Sequence, residues 1–201
     1  MTTHRITYVG ILRCNDTPIF LSQAHNLTHL SYLSRGYAKN ISSFMAREIA
    51  SRIDVGLSNI DVEGYDVYAY KWENGLCIIC ICNKGYPNRV AFALLQQIFF
   101  DFIDKYPDAG LQYTQDINLN NSSIKTLMHK YNNPLEVDAF ENVSEKVHNT
   151  MNIVHRTVND LLNNGETLEA LVNQSKDLST KTKDVFAKSK KLKKRSCCAL
   201  M

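Results

Sequence analysis

The chain has 201 residues, 44% hydrophobic and 21% charged, with a formal net charge of +3, which is room for one domain with its own core plus an appended element. Its longest apolar run, Leu76–Cys82, is far short of the roughly 20 residues that span a bilayer. The start, Met1-Thr2-Thr3-His4-Arg5, lacks the apolar region of a signal peptide, and residue 2 is not the glycine that N-myristoylation needs.

Ile6–Arg13 and Pro18–Ser22 read as two strands around the turn pair Asn15-Asp16. Ile41–Ile53 carries Ile41, Phe44, Met45, Ile49 and Ile53 at helical spacing. Leu57–Val62, Tyr65–Trp72 and Leu76–Asn83 read as three more strands. Gly64 marks one turn, and Asn74-Gly75 gives the strongest short hairpin signal. Pro87 suits the first position of a helix running through Arg89–Tyr106, which Pro107 stops. Ser122–Tyr131 is a shorter helix ended before Pro134. The order β-β-α-β-β-β-α-α predicts an α+β fold, a five-stranded antiparallel sheet flanked by helices, over residues 1–133. Cys14, Cys77, Cys80 and Cys82 lie in or beside strands. Residues three apart on a strand face opposite sides, so Cys77 and Cys80 read as small core hydrophobes rather than a metal pair.

After Pro134 the pattern becomes a heptad repeat. Steps of three and four pick out Phe140, Val143, Val147, Thr150, Val154, Thr157, Leu161, Asn164, Leu168, Leu171, Ser175, Leu178, Thr182, Val185, Ser189 and Leu192. Ten of the sixteen are apolar and none is charged, which is a coiled-coil seam. As one helix, at roughly 1.5 Å per residue, it would be about 80 Å long, more than a domain of this size can cover. A partner, or a folded-back and broken form, must therefore shield it. The Thr and Ser layers make the coiled coil weak by itself.

The basic charge is concentrated at the end. Lys188, Lys190, Lys191, Lys193, Lys194 and Arg195 stand with no acid among them; without them 17 basic residues face 20 acidic ones. Cys198-Ala199-Leu200-Met201 fits C-a-a-X, and methionine at the last place favours farnesylation of Cys198. One lipid gives only marginal binding, and stable anchoring takes a second signal. Cys197 can carry a second lipid, prenyl or palmitoyl, and the basic run can add roughly 1 kcal/mol per charge near an anionic leaflet. The alternative for the run is a merely solvated helix end. Nucleic acid would have no use for the two cysteines. Histidines 4, 25, 29, 129, 148 and 155 show no metal spacing, and phosphate-loop and nucleophile motifs are missing. We therefore expect no enzyme, cofactor, metal or small-molecule substrate.

Across nearly its whole length the sequence resembles the lipid-anchored longin-domain R-type SNAREs of Golgi and endosomal traffic, the prenylated synaptobrevin-like v-SNAREs. The likeness is carried by Tyr86-Pro87-Asn88-Arg89-Val90-Ala91-Phe92, Tyr131-Asn132-Asn133-Pro134, His148-Asn149-Thr150-Met151, Leu161-Leu162, Gly165-Glu166 and the Cys-Cys-a-a-Met end. The resemblance implies a longin (profilin-like) domain at 1–133, a SNARE helix with a basic end at 134–195 and a lipidation motif at 196–201. It implies a cytoplasmic protein that cycles to the cytosolic face of Golgi, endosomal, vacuolar and other vesicle membranes. There the helix would join three Q-type SNARE helices in a parallel four-helix bundle, zipping from Phe140 towards Leu192 to fuse membranes in ER–Golgi, intra-Golgi and endosomal transport. The layers would be Phe140, Val143, Val147, Val154, Leu161, Leu168, Leu171, Leu178, Val185 and Leu192. The family places arginine at the central layer; aligned on Gly165-Glu166, that position here is Asn164, and Arg156 lies off the seam. The resemblance also implies an autoinhibitory longin domain that folds over the SNARE helix, with Phe44 on its docking surface; plain core packing is the other reading of Phe44. A longin-type adaptor or tether that binds one coiled-coil partner without driving fusion is the alternative function.

Overall fold

The computed structural model describes residues 4–15, 17–108, 111–120, 122–141, 153–163 and 165–198, the backbone alone for 138–141 and 190–198. The elements in chain order are β1 (Ile6–Arg13), β2 (Ile19–His25), α1 (Tyr32–Arg52), β3 (Gly56–Val62), β4 (Tyr65–Lys71) and β5 (Leu76–Asn83). They continue with α2 (Asn88–Lys105), α3 (Ser122–Lys130), α4 (Pro134–Glu141), β6 (Ile153–Thr157), α5 (Val158–Leu161), α6 (Leu168–Gln174) and α7 (Thr180–Cys198). The first eight follow the order expected from the sequence. The sheet, however, has six strands rather than five, in the order β2-β1-β5-β4-β3-β6, and it is mixed, because β6 runs parallel to β3 while the other neighbours are antiparallel.

The central strands are apolar on both sides because both sides are covered. On β5, Ile78, Cys80 and Cys82 enter a cluster with Phe92, Leu95, Ile98 and Phe102 of α2. Cys77, Ile79 and Ile81 enter a second cluster with Phe44, Met45, Ile49 and Ala50 of α1. The cysteines three apart thus face opposite layers, and the described thiols are free. Gly10 on β1 has the Tyr8 ring where its Cβ would stand. Gly75 turns the β4–β5 hairpin at φ +81°, a left-handed conformation that suits glycine.

Three local expectations shift. The first helix starts at Tyr32, nine residues before Ile41, because its first turns are solvated and show no apolar period. Strand β2 continues to His25 through Gln23, which accepts hydrogen bonds from Tyr8 Oη (3.3 Å) and Ser43 Oγ (2.7 Å). Pro87 is the N-cap of α2 (ψ 123°), not its first helical residue.

The outer sides of β2 and β3 are both covered. Beside β2, Ile117 N–H donates to Phe20 O (2.8 Å) and Leu119 N–H to Leu21 O (2.7 Å). Beside β3 lies β6, with Leu57 opposite Ile153 and Asp61 opposite Thr157. An uncovered edge is a pairing hazard, so β6 completes the sheet.

Candidate functional site

The heptad segment is expected to be one long helix when partnered. Here it is broken and laid over the domain, and burial against α1 decides the shape. Val158–Leu161 is a single turn closed by a capping box between Thr157 and Asp160. Backbone N–H and hydroxyl of Thr157 hold the Asp160 carboxyl below its usual pKa. Gly165 turns the chain at φ +86°, and Thr167 caps α6 by accepting from Ala170 N–H (3.1 Å).

Three apolar anchors follow. Leu161, Leu168 and Leu178 are less than 9% exposed and share a cluster with Phe44, Met45, Ile49 and Ile53. Val172, fully buried in the same cluster, was not among the seam positions, and neither was Phe186, packed against it. Leu168 and Val172 are four apart, as are Leu178, Thr182 and Phe186. That i,i+4 ridge is the signal for packing as straight helices on a flat face, rather than along a 3.5-residue seam.

A polar set, unforeseen in the sequence, frames the anchors. Arg47 pairs with Asp177 (3.2 Å) and with Asp116, and its guanidinium lies over the Phe20 ring. Arg52 pairs with Glu166 and Glu48 (3.1 Å each) and donates to Leu161 O. The Glu166 carboxyl is held below its usual pKa, first by the Asn163 backbone N–H and then by Arg52. Arg156 reaches Asp54 (2.8 Å), and Asn40 donates to the fully buried Thr182 hydroxyl (3.4 Å). Asp177 meets Arg47 while Thr182 meets Asn40, so α7 runs antiparallel to α1. Leu30, Tyr37, Ile41, Met45, Val67 and Phe186 line a mainly apolar cavity of about 410 Å³ between α1, α7 and the sheet.

The other expected site residues fall as follows. Phe44 is 8% exposed, within the cluster that holds both sheet and segment residues, so its two readings meet at one boundary position. Leu171 is partly buried, while Val154 on β6 and Val185 on α7 are exposed. Val143, Val147 and Asn164 lie outside the described residues. Phe140 is in α4, and Lys190, Lys191, Leu192, Lys193, Lys194, Arg195, Cys197 and Cys198 are in α7, all on stretches described by backbone alone. Lys188 is exposed on α7. Val137 of α4 is buried with α2 and α3. Among the described residues no helix is long and apolar enough to cross a membrane.

Comparison with known proteins accounts for the two regions. Residues 29–128 match the longin family, described as a regulated-SNARE-like domain, and residues 139–201 match the synaptobrevin family. Neither is a family of enzymes. The chain is 30% identical to the synaptobrevin homolog YKT6 of Saccharomyces cerevisiae over 202 residues, 98% of this chain and 100% of that one. It is 29% identical to the VAMP-like protein YKT61 of Arabidopsis thaliana over 201 residues, with the same coverage. Against the synaptobrevin homolog ykt6 of Schizosaccharomyces pombe it is 30% identical over 194 residues, 96% of this chain and 97% of that one. An adaptor without fusion activity is not favoured by these relatives. The chain belongs to the longin-domain synaptobrevin homologues, the R-type SNAREs of vesicular membrane fusion.

Proposed function

We propose that the docked segment is the inactive form of this SNARE and that lipid holds the active form on membranes. The observation that carries the reading is the burial of Leu161, Leu168 and Leu178 against α1. In the proposed bundle the same side chains are core layers, together with Phe140, Val143, Val147, Val154, Leu171, Val185 and Leu192. A leucine side chain cannot fill two cores, so docking and assembly exclude each other. Assembly with three Q-type helices then draws on burial of the released seam, with no covalent step. Asn164 faces three partner glutamines at the central layer; its amide can hydrogen-bond them, and a lone polar seam residue fixes register.

Cys198 carries the prenyl group and Cys197 the second lipid, with the basic run from Lys188 to Arg195 against the anionic leaflet. The protein divides between cytosol and the cytosolic face of Golgi, endosomal and vacuolar membranes. In the cytosolic form the cavity beside α7 is where an isoprenoid chain can leave water; its size suits a small apolar ligand. Phe44 holds the closed form by bridging sheet and segment.

The test is Phe44→Glu, alone and with Cys198→Ser. Phe44→Glu should move the protein from cytosol to membranes and speed its capture by partner SNARE helices. Adding Cys198→Ser should return it to the cytosol without slowing capture. If Phe44→Glu leaves both readouts where they were, docking through α1 is not inhibitory. If Cys198→Ser alone stays fully on membranes, the lipid assignment is wrong.

A further inference from the structure

We propose that the start of α1 is a membrane-contact site in its own right: Tyr32 and Leu33 enter an anionic lipid surface, with Arg35 and Lys39 at the headgroups. Tyr32 and Leu33 are 85% and 81% exposed, the highest values among the exposed large hydrophobic residues described. They are adjacent, whereas Val55, Phe100, Leu111 and Leu135 stand apart in sequence. Nothing in the packing of α1 calls for apolar side chains there, since its buried residues begin at Phe44.

The pair is held outward by a braced turn. Arg35 donates from Nε to Leu30 O (3.1 Å) and from Nη2 to Thr28 O (3.2 Å). Ser34 N–H donates to Ser31 O (3.0 Å), and the hydroxyls of Ser31 and Ser34 are 2.9 Å apart. Along this stretch of the chain the charge has one sign. From Asn26 to Arg47 the chain has no acidic residue, while Arg35 and Lys39 are exposed. Arg5 lies near the same turn, beside His29. Glu63 is the acid that lines the neighbouring groove.

Position supplies the next argument. Because α7 is antiparallel to α1, its later residues approach the start of α1, and Ser189 shares the groove with Ser34. The α7 backbone continues to Cys198, so the basic run begins level with the first turns of α1 and extends beyond them. The apolar pair and the basic run therefore share one end of the closed molecule. Two side chains are too small a patch for a protein partner, whose interfaces bury about 800 Å² per side. They suit a bilayer, where a tyrosine sits at the headgroup level, a leucine enters the acyl boundary and basic neighbours add attraction. The inference rests on the reading that the basic run faces the membrane, and it adds a contact that needs neither lipidation nor opening.

The experiment is vesicle co-sedimentation of the full chain without lipid, on phosphatidylcholine vesicles with and without phosphatidylserine. Tyr32→Ser with Leu33→Ser should weaken partition onto the anionic vesicles about tenfold, the loss of roughly one buried apolar side chain, with the melting temperature unchanged. Neutralising Lys188, Lys190, Lys191, Lys193, Lys194 and Arg195 to glutamine should remove most of the serine-lipid dependence. Leu33→Trp should keep binding and gain quenching by brominated acyl chains relative to the parent. Wild-type partition by the double-serine protein overturns the contact site, whatever the neutralised run does. Loss in the double-serine protein with no effect of the neutralised run upholds the site and instead overturns the reading of the run. Binding by Leu33→Trp without added quenching also overturns the site.

Discussion

Strand β5 buries seven consecutive residues, Leu76–Cys82, whereas between residues 153 and 189 the burial of the described C-terminal segment is confined to Leu161, Leu168, Val172, Leu178 and Thr182. In the sheet domain each apolar side chain meets others from several elements. In the segment the anchors are about a turn or more apart, and the intervals are held by partly exposed pairs such as Arg52–Glu166. A densely shared core has one way to be satisfied. Under the proposed function a sparse line of leucines, spaced for a coiled coil as well as for α1, has two, which is what a switch requires.

The largest expected effect breaks the dense side. Phe92 is fully buried, with its ring edge-on to Tyr68 at 5.5 Å; Phe92→Ala should cost about 3–5 kcal/mol and lower the melting temperature of the whole chain. A loss confined to the C-terminal segment would mean that the two regions are not as unequal as described. Next, Leu168→Asp places an unpaired carboxylate in the sparse cluster. Hydrogen exchange should rise along β6, α6 and the β3 edge while β1 and β5 stay protected, and assembly with partner helices should fail. Protection retained at β3 would show that the segment docks without this anchor. The smallest effect sharpens the comparison. Arg52→Gln removes two ion pairs from a group about one-fifth exposed and should cost about 1 kcal/mol, seen as somewhat faster capture by partner helices at unchanged melting temperature. Capture slower than wild type would contradict a latch.

Much of the domain was legible because its signals are local. Largely continuous apolar runs located β1 and β5 to the residue, and Asn74-Gly75 placed the β4–β5 hairpin. The helix start at Tyr32 was not legible, since a solvated first turn carries no period. The heptads in the segment fit the proposed partnered state, where the seam would decide. In the closed chain Gly165, the Thr157 box and the flat face of α1 win instead, and 153–157 becomes a strand because an open β3 edge lies beside it. No single-sequence pattern announces that edge. The polar frame of Arg47 and Arg52 was invisible for the same reason: an arginine on a helix face shows no partner until the chain is folded back.

The place of β6 in the chain, between Phe140 and the helical anchors, also sets an order of events. Under the proposed zippering, a bundle that nucleates near Phe140 reaches Ile153 before it reaches Leu168 or Leu178. The strand is then lifted from one end, one residue pair after another from Leu57–Ile153 to Asp61–Thr157, before the helical anchors come under load. Peeling divides the opening barrier into small steps, each offset by a newly formed layer, so partner helices can open the closed chain at a rate set by their own arrival. On the far side, the Asp177–Arg47 pair should break late, and the Asn40–Thr182 hydrogen bond after it.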